Sequence, residues 1–285
     1  LQGVILLALL LLLAACGGNS GALWGPGGYQ GNTVTNNITN QGGIIIQAAP
    51  TLQFVLPALA NAFFTTHGLN VPYVFDFSGT KVIATNVNTL ADNDLLISDD
   101  RRTMINARNI GFTRSVGTVV ATDSLTVILP AGNPGNIHTL QDLAIPGHRY
   151  IGINANDGLN THIQATLESM ILDPAFGQQY SARVYGNIVA DYTDGVSAAR
   201  ALASSPPPGD FAIVYRTNYL AALKERGTGA LTQLAIPAQF NPPVEIIAAI
   251  TGQAMQPRID QDFIDFLRTP QANAIWAAYG FTPAT

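Results

Sequence analysis

Positive charge is scarce in this chain of 285 residues: 13 Lys and Arg stand against 18 Asp and Glu, for a formal net charge of -5. No Lys/Arg-rich run occurs, which excludes the electrostatic footprint of a nucleic-acid binder. Cysteine is scarcer still. With Cys16 as the single one, no internal disulfide can form, and the fold has to hold by packing. The four histidines, His67, His138, His148 and His162, have neither zinc-ligand spacing nor the paired pattern of a metalloprotease helix. A Gly-x-Ser-x-Gly nucleophile elbow is missing too, since Phe77-Ser78-Gly79 lacks the first glycine. The search for an enzyme therefore leaves one catalytic alternative, a hydrolase with Ser78 as nucleophile and one of these histidines as base. Neither a cofactor nor a metal site is expected.

Long hydrophobic runs are missing with one exception, residues 4–15. That run is too short to span a bilayer as a helix, which takes about 20 apolar residues, and it reads as the core of a secretory signal. It ends in Leu13-Ala14-Ala15-Cys16-Gly17-Gly18, which looks like a bacterial lipobox. Residues 1–16 are then a signal peptide whose Cys16 receives lipid, and the alternative is a chance cysteine behind an ordinary signal. No Met or basic segment precedes the run, so a longer precursor is expected. Residues 17–42 are crowded with Gly and Asn and hold too few apolar side chains for a core, so they read as a flexible tether. The body that begins near Gly43 is expected outside the cytoplasm, anchored to a membrane through lipid.

What is present in that body is alternation of strand and helix. Residues 43–49 form a β-branched run, after which Leu52, Val55, Leu56, Leu59 and Phe63 recur at helical spacing. Residues 71–77 repeat the strand, and Val82, Ile83 and Val87 the apolar periodicity; Asp94-Leu95-Leu96-Ile97-Ser98 is a further buried strand. A second series pairs Tyr150-Ile151-Gly152-Ile153 with a helix from Thr161 through Leu167 and Met170, and Phe211-Ala212-Ile213-Val214-Tyr215 with a helix around Tyr219 to Lys224. Such alternation predicts α/β units with largely parallel sheets. Two extended stretches, residues 124–130 and 243–249, are expected to cross between the units, and the C-terminal helices to return to the first. The result is a two-lobed α/β clamshell, each lobe a mixed sheet flanked by helices, joined by a two-stranded hinge. Residues 43–126 and 247–285 make lobe 1, and residues 127–246 make lobe 2.

Several short segments stand in a telling order. They are Ala48-Ala49-Pro50-Thr51-Leu52, Phe77-Ser78-Gly79-Thr80, Asp94-Leu95-Leu96-Ile97-Ser98-Asp99 and Leu125-Thr126-Val127-Ile128-Leu129-Pro130. Leu140-Gln141-Asp142-Leu143-Ala144, Ile213-Val214-Tyr215-Arg216-Thr217-Asn218, Asn241-Pro242-Pro243, Phe263-Ile264-Asp265-Phe266-Leu267 and Tyr279-Gly280-Phe281 follow. Over roughly residues 44–283 this series resembles the substrate-binding proteins of molybdate-type ABC importers, which have the type II periplasmic-binding-protein fold. The resemblance implies a monomer that captures a small oxyanion, molybdate or tungstate first, and delivers it to an ABC permease. Another anion (phosphate, sulfate or a carboxylate), or a clamshell that has lost its ligand, is the alternative. It also implies contacts from Thr51, Ser78, Asn160, Thr161, Val196 and Tyr215.

Those positions have a physical basis of their own. Thr51, Ser78 and Thr161 are expected at strand-to-helix junctions, where backbone N–H groups and the helix dipole favour an anion. A pocket of hydroxyl and amide donors needs no countercharge, so an uncharged site is expected. Thr51 and Ser78 could act only as N-caps, and Tyr215 could only pack a lobe interface. Pro50 offers no N–H, and Asn160 and Thr161 lie in a loop that departs from the family pattern. Arg216 and Glu245 depart as well, either as solvated charges or, for Arg216, as a bidentate donor in the cleft. Lys81 is expected to be a solvated helix residue. Asp76, Asp99 and Asp123 would repel an anion if they faced the cleft.

Overall fold

The computed structural model describes residues 43–77 and 93–284. Cys16, the tether, Ser78 and Lys81 lie outside them. The first sheet is built from β1 (Ile44–Ala48), β2 (Tyr73–Asp76), β3 (Leu95–Ser98), β4 (Thr118–Asp123), β10 (Val244–Ile250) and β11 (Thr282–Pro283), in the order β11-β4-β10-β3-β1-β2. β1 runs parallel to both β2 and β3, while β10 runs antiparallel to β3 and β4. All five residues of β1 and all four of β3 are buried, because helices cover both faces and no alternation is needed.

The second sheet holds β5 (Leu125–Pro130), β6 (Tyr150–Ile153), β7 (Ile188–Tyr192), β8 (Phe211–Tyr215) and β9 (Leu231–Ala235), in the order β7-β6-β8-β5-β9. It is mixed as well, with β6 parallel to β7 and β8, and β5 antiparallel to β8 and β9. The chain changes sheet twice, at Ser124 between β4 and β5 and through residues 236–243 between β9 and β10. Neither extended stretch itself crosses between the sheets: β5 pairs only within the second and β10 only within the first, with the passages at their N-terminal ends. Asn241 ties the two passages together, accepting from the Leu125 amide at 2.9 Å and donating to the Leu125 carbonyl at 2.8 Å. This clasp makes the two connections one hinge.

Eight helices flank the sheets among the described residues: α1 (Leu56–Thr66), α2 (Arg101–Asn109), α3 (Gly158–Met170), α4 (Tyr180–Gly186), α5 (Gly195–Leu202), α6 (Arg216–Arg226), α7 (Pro257–Phe266) and α8 (Pro270–Ala278). Three of those that follow strands start on an aspartate: Asp100, Asp157 and Asp194 accept from the amides of Arg102, Leu159 and Ser197. Such a cap contributes about 1 kcal/mol. Asp157 explains why α3 begins at Gly158, one turn before the expected Thr161. Similarly, α6 starts directly off Tyr215 rather than near Tyr219.

Each sheet has its own core. In the first, Ile46, Leu59, Phe63, Ile97, Phe263 and Trp276 pack together, and Trp276 Nε1 donates to the Leu267 carbonyl at 3.0 Å. In the second, Tyr150 stacks on Phe211 at 4.7 Å among Val127, Leu167 and Val184. Against the first core lies an exception to polar satisfaction. Asp260 in α7 is fully buried, and neither carboxylate oxygen has a partner. Burial first, and then the nearby Asp94, push its pKa up from 3.8 to about 7, with Arg114 pulling the other way. A carboxylate raised on folding stabilises fully below its unfolded pKa, and that contribution is lost as pH rises through the folded value. Asp260→Asn should therefore be more stable than the parent near neutral pH, by on the order of 1 to 3 kcal/mol. It should also lose the parent's stability gain on acidification from about pH 7.5 to about pH 5. Urea unfolding at both pH values checks this, and equal midpoints for parent and variant near neutrality would contradict it.

Candidate functional site

The carboxyl ends of β1 and β3 from one sheet face those of β6 and β8 from the other. From β1 the chain enters a short 3-10 turn, Pro50–Leu52, fixed by the Ala49 amide on the Ile97 carbonyl at 2.9 Å. This turn carries Thr51. β3 ends at Ser98, so Asp99 emerges at the seam while Asp100 turns back to cap α2. On the opposite side β8 delivers Tyr215, and the first turn of α6 delivers Thr217 and Asn218.

These side chains join the lobes in two clusters. In the first, the Asn218 amide Nδ2 donates to Thr51 Oγ1 at 3.1 Å, and Thr51 Oγ1 lies 3.0 Å from Thr217 Oγ1. The Thr217 hydroxyl donates to Asp123 Oδ2, so its one proton is committed and Thr51 is the donor to Thr217. Asp123 Oδ1 accepts from the Ser124 amide at 2.7 Å, where the chain changes sheet. In the second cluster, Tyr215 OH donates to Asp99 Oδ2 at 2.8 Å. His162 Nε2 lies 2.8 Å from the Asp99 carbonyl oxygen, which can only accept, so Nε2 carries a proton. Asp99 Oδ1 has no partner and sits against the backbone of Gly158, where a Cβ would come within 2.3 Å.

Burial sets the electrostatics. Asp99 and Tyr215 are each 2% exposed. Desolvation raises the Asp99 pKa, opposed by the charge of His162 and the Tyr215 hydrogen bond. Asp123 is pushed up to about 7, again chiefly by burial. The Tyr215 hydroxyl is held well above its ordinary value by burial and by Asp99, so it remains a donor. The uncharged pocket expected from the sequence is thus corrected: Asp99, which follows β3, and Asp123, which ends β4, turn their carboxyl groups into the seam. Those carboxylates accept from the second lobe's hydroxyls.

Of the residues anticipated, Thr51 and Tyr215 meet the opposite lobe. Val196 is buried at the start of α5, the helix that packs on the Pro50–Leu52 turn. Asn160 instead braces its own loop, its Nδ2 donating to the Ile153 carbonyl at 2.8 Å. Thr161 is half-buried inside α3 rather than at a junction, and among the described residues neither side chain makes a hydrogen bond across the seam. Arg216 is exposed and donates to the Gly280 carbonyl at 3.0 Å, outside both clusters. Glu245 pairs with Arg101 at the surface. Sequence reasoning missed Thr217, Asn218 and Gly158, and named His162 only as a possible base of the hydrolase alternative. The signals were close by, since Thr217 and Asn218 lie two and three residues after Tyr215 and His162 follows Thr161.

Among the described residues, no group of three or more His, Cys, Asp or Glu could hold a metal ion. No described helix is long and apolar enough to cross a membrane. Residues 44–282 match the family of bacterial extracellular solute-binding proteins, and the chain belongs to it. Over 146 residues it is 30% identical to the molybdate-binding proteins ModA of Mycobacterium bovis and Mycobacterium tuberculosis, covering 51% of this chain and 52% of theirs. The chain therefore spans about half the length of the curated relatives it matches. The sulfate-binding protein SubI from Mycobacterium tuberculosis H37Rv superposes with a TM-score of 0.69 at 19% identity, over 85% of this chain and 86% of that one. The Azotobacter vinelandii periplasmic molybdate-binding protein does so with a TM-score of 0.67 at 18% identity, over 85% and 100%. At such identities the likeness shows the two-lobed fold. These relatives are solute-binding proteins rather than enzymes.

The close approach at Gly158 gives a direct test of the seam. Gly158→Ala puts a methyl group within 2.3 Å of Asp99 Oδ1, so the lobes should be held apart. Small-angle scattering should show a larger radius of gyration with an unchanged far-ultraviolet circular dichroism spectrum, whereas an identical radius would place the seam elsewhere.

Proposed function

We propose that this chain is an extracytoplasmic solute-binding protein that captures a small oxyanion between its lobes and presents the closed form to the permease of an ABC importer. The observation that carries the reading is the convergence of Tyr215, Thr217 and Asn218 of one lobe with Asp99 and Thr51 of the other, at the carboxyl ends of the strands, where open α/β sheets take ligands. Binding without chemistry is sufficient. An anion that contacts donors of both lobes binds the closed form better than the open one and shifts the population by that difference.

Thr51, Val196 and Tyr215 are the assigned contacts among the described residues, with Thr217 and Asn218 added to them. Ser78, Asn160 and Thr161 remain in the proposal as sequence-assigned contacts. Molybdate and tungstate are the first ligands to test, with sulfate, phosphate and small carboxylates next. The lobes proposed from the sequence are residues 43–126 with 247–285, and residues 127–246; the sheets change a few residues earlier at each passage, β5 entering the second sheet at Leu125 and β10 the first at Val244. Lipid on Cys16, the 17–42 tether and a monomeric state complete the reading, leaving the body free to move above the membrane that holds the permease.

A second reading has an observation of its own. The hydroxyls of Tyr215 and Thr217 already donate to Asp99 and Asp123 across the seam, an arrangement that suits a clamshell closed without any ligand. Calorimetric titration against the anion panel separates the two. Oxyanion capture predicts saturable heat with at least one tetrahedral anion, and Tyr215→Phe should weaken that binding by about 1 to 3 kcal/mol. Ser78→Ala should do the same if its hydroxyl is a donor. No heat with any member of the panel would favour the ligand-free clamshell, and ester hydrolysis abolished by Ser78→Ala would overturn both readings.

A further inference from the structure

Opposite the cleft, at the amino ends of β1 and β3, two turns are joined into one platform. Residues 110–114 follow α2, and residues 251–255 follow β10. The Gly252 amide donates to the Phe112 carbonyl at 2.8 Å and the Arg114 amide to the Ile250 carbonyl at 2.9 Å, while Arg114 Nε donates to the Thr251 carbonyl at 3.0 Å. The fit is close: a Cβ on Gly252 would stand 3.1 Å from the Gly111 carbonyl oxygen. Asp94 fastens the platform to the first strand, because one carboxylate oxygen accepts from the Met255 amide and the other from the Ile45 amide, each at 2.8 Å. Ile45 lies two residues after Gly43, where the described chain follows the segment read as a tether. The platform therefore stands at the tether's end of lobe 1.

Its surface differs from the rest of the chain. Of the seven large hydrophobic side chains exposed among the described residues, four fall within residues 105–117 and 251–259: Ile105, Ile110, Val116 and Met255, the last 65% exposed. The same two segments carry Arg108, Arg114 and Arg258, all exposed, and no acidic residue. None of these three arginines is in an ion pair among the described residues, where the paired ones are Arg101, Arg149 and Arg200. The carboxylates beside the segments, Asp94 and Asp260, are buried, and the first exposed one along α7 is Asp262, a turn beyond Arg258. In a chain of net charge -5 this end is a local excess of positive charge.

We propose that this end of lobe 1 docks on an anionic lipid surface, with its exposed aliphatic side chains in the headgroup layer and its arginines on lipid phosphates. The inference rests on the reading of the chain as lipid-anchored outside the cytoplasm. Charge and position both select lipid as the occupant. An arginine near an anionic bilayer strengthens association about fivefold, and its planar guanidinium takes two phosphate oxygens at once. A few aliphatic groups add interfacial burial without spanning anything. Lipid on Cys16 would keep residue 43, and the platform beside it, within reach of the bilayer. The cleft lies at the opposite ends of β1 and β3, so a body docked in this way opens away from the membrane, toward arriving solute. Delivery to the permease then requires undocking.

The test uses the full chain, reconstituted through its N-terminal segment into vesicles of phosphatidylcholine, alone or mixed with phosphatidylglycerol, and reads amide exchange. Exchange in residues 108–116 and 252–258 should slow on the mixed vesicles only, and the effect should fade as salt is raised. Arg108→Gln and Met255→Gln change exposed side chains, so both variants should fold and titrate anions as the parent does. Each should reduce the protection, Arg108→Gln by about fivefold. Equal exchange on the two vesicle types would overturn the inference and leave oxyanion capture standing. So would protection of these segments by the permease in place of lipid, which would make the face a protein contact. Cys16 found without lipid, by mass spectrometry of the chain taken from membranes, would remove the anchor and the inference with it.

Discussion

Donation by second-lobe hydroxyls to first-lobe carboxylates is the interaction on which the closed architecture depends. Tyr215 reaches Asp99 and Thr217 reaches Asp123, each from the end of a buried strand or the first turn of the helix that follows it. A hydrogen bond to a buried charged group is stronger than one between neutral groups, and removing one partner leaves the other desolvated and alone. Both carboxylates lie deep enough for burial to raise their pKa. Closure therefore disfavours their ionised forms, and water reaching them in an opened cleft relieves that cost.

That dependence links the hinge to the site. Asp123 is the last residue of β4, and Ser124 is the point where the chain passes to the second sheet. The Ser124 amide donates to Asp123, and the Asn241 clasp holds the other passage beside Leu125. A movement that separates Thr217 from Asp123 thus acts directly on the segment about which the lobes turn. The glycines mark where the lobes come closest. Gly158 admits Asp99, and Gly280, at φ +91°, lies where any side chain would strike Leu220 of α6.

Much of this was legible in the sequence. The α/β alternation and the two sheets follow from apolar periodicity, and Ala48-Ala49-Pro50-Thr51 and Ile213-Val214-Tyr215 mark strand ends that the structure brings to one seam. Helix starts were less legible: α3 and α6 begin earlier than their apolar faces suggest, because Asp157 and Tyr215 terminate the preceding extended chain and periodicity is silent about polar first turns. The charge of the site was left open by the sequence for a different reason. Asp99 and Asp123 look like ordinary loop carboxylates, and only the opposing lobe, distant in sequence, buries them. Asn160 shows the converse, a polar loop residue that looks available and is engaged by its own backbone.

The central claim is that ligand and lobe closure act on one seam. Amide hydrogen exchange with and without a saturating oxyanion tests it most directly. The account predicts slowed exchange together in residues 51–54, 99–101, 158–160 and 217–218, with the interiors of β1 and β8 unchanged. An anion that binds by calorimetry yet leaves exchange in all four segments untouched would contradict it.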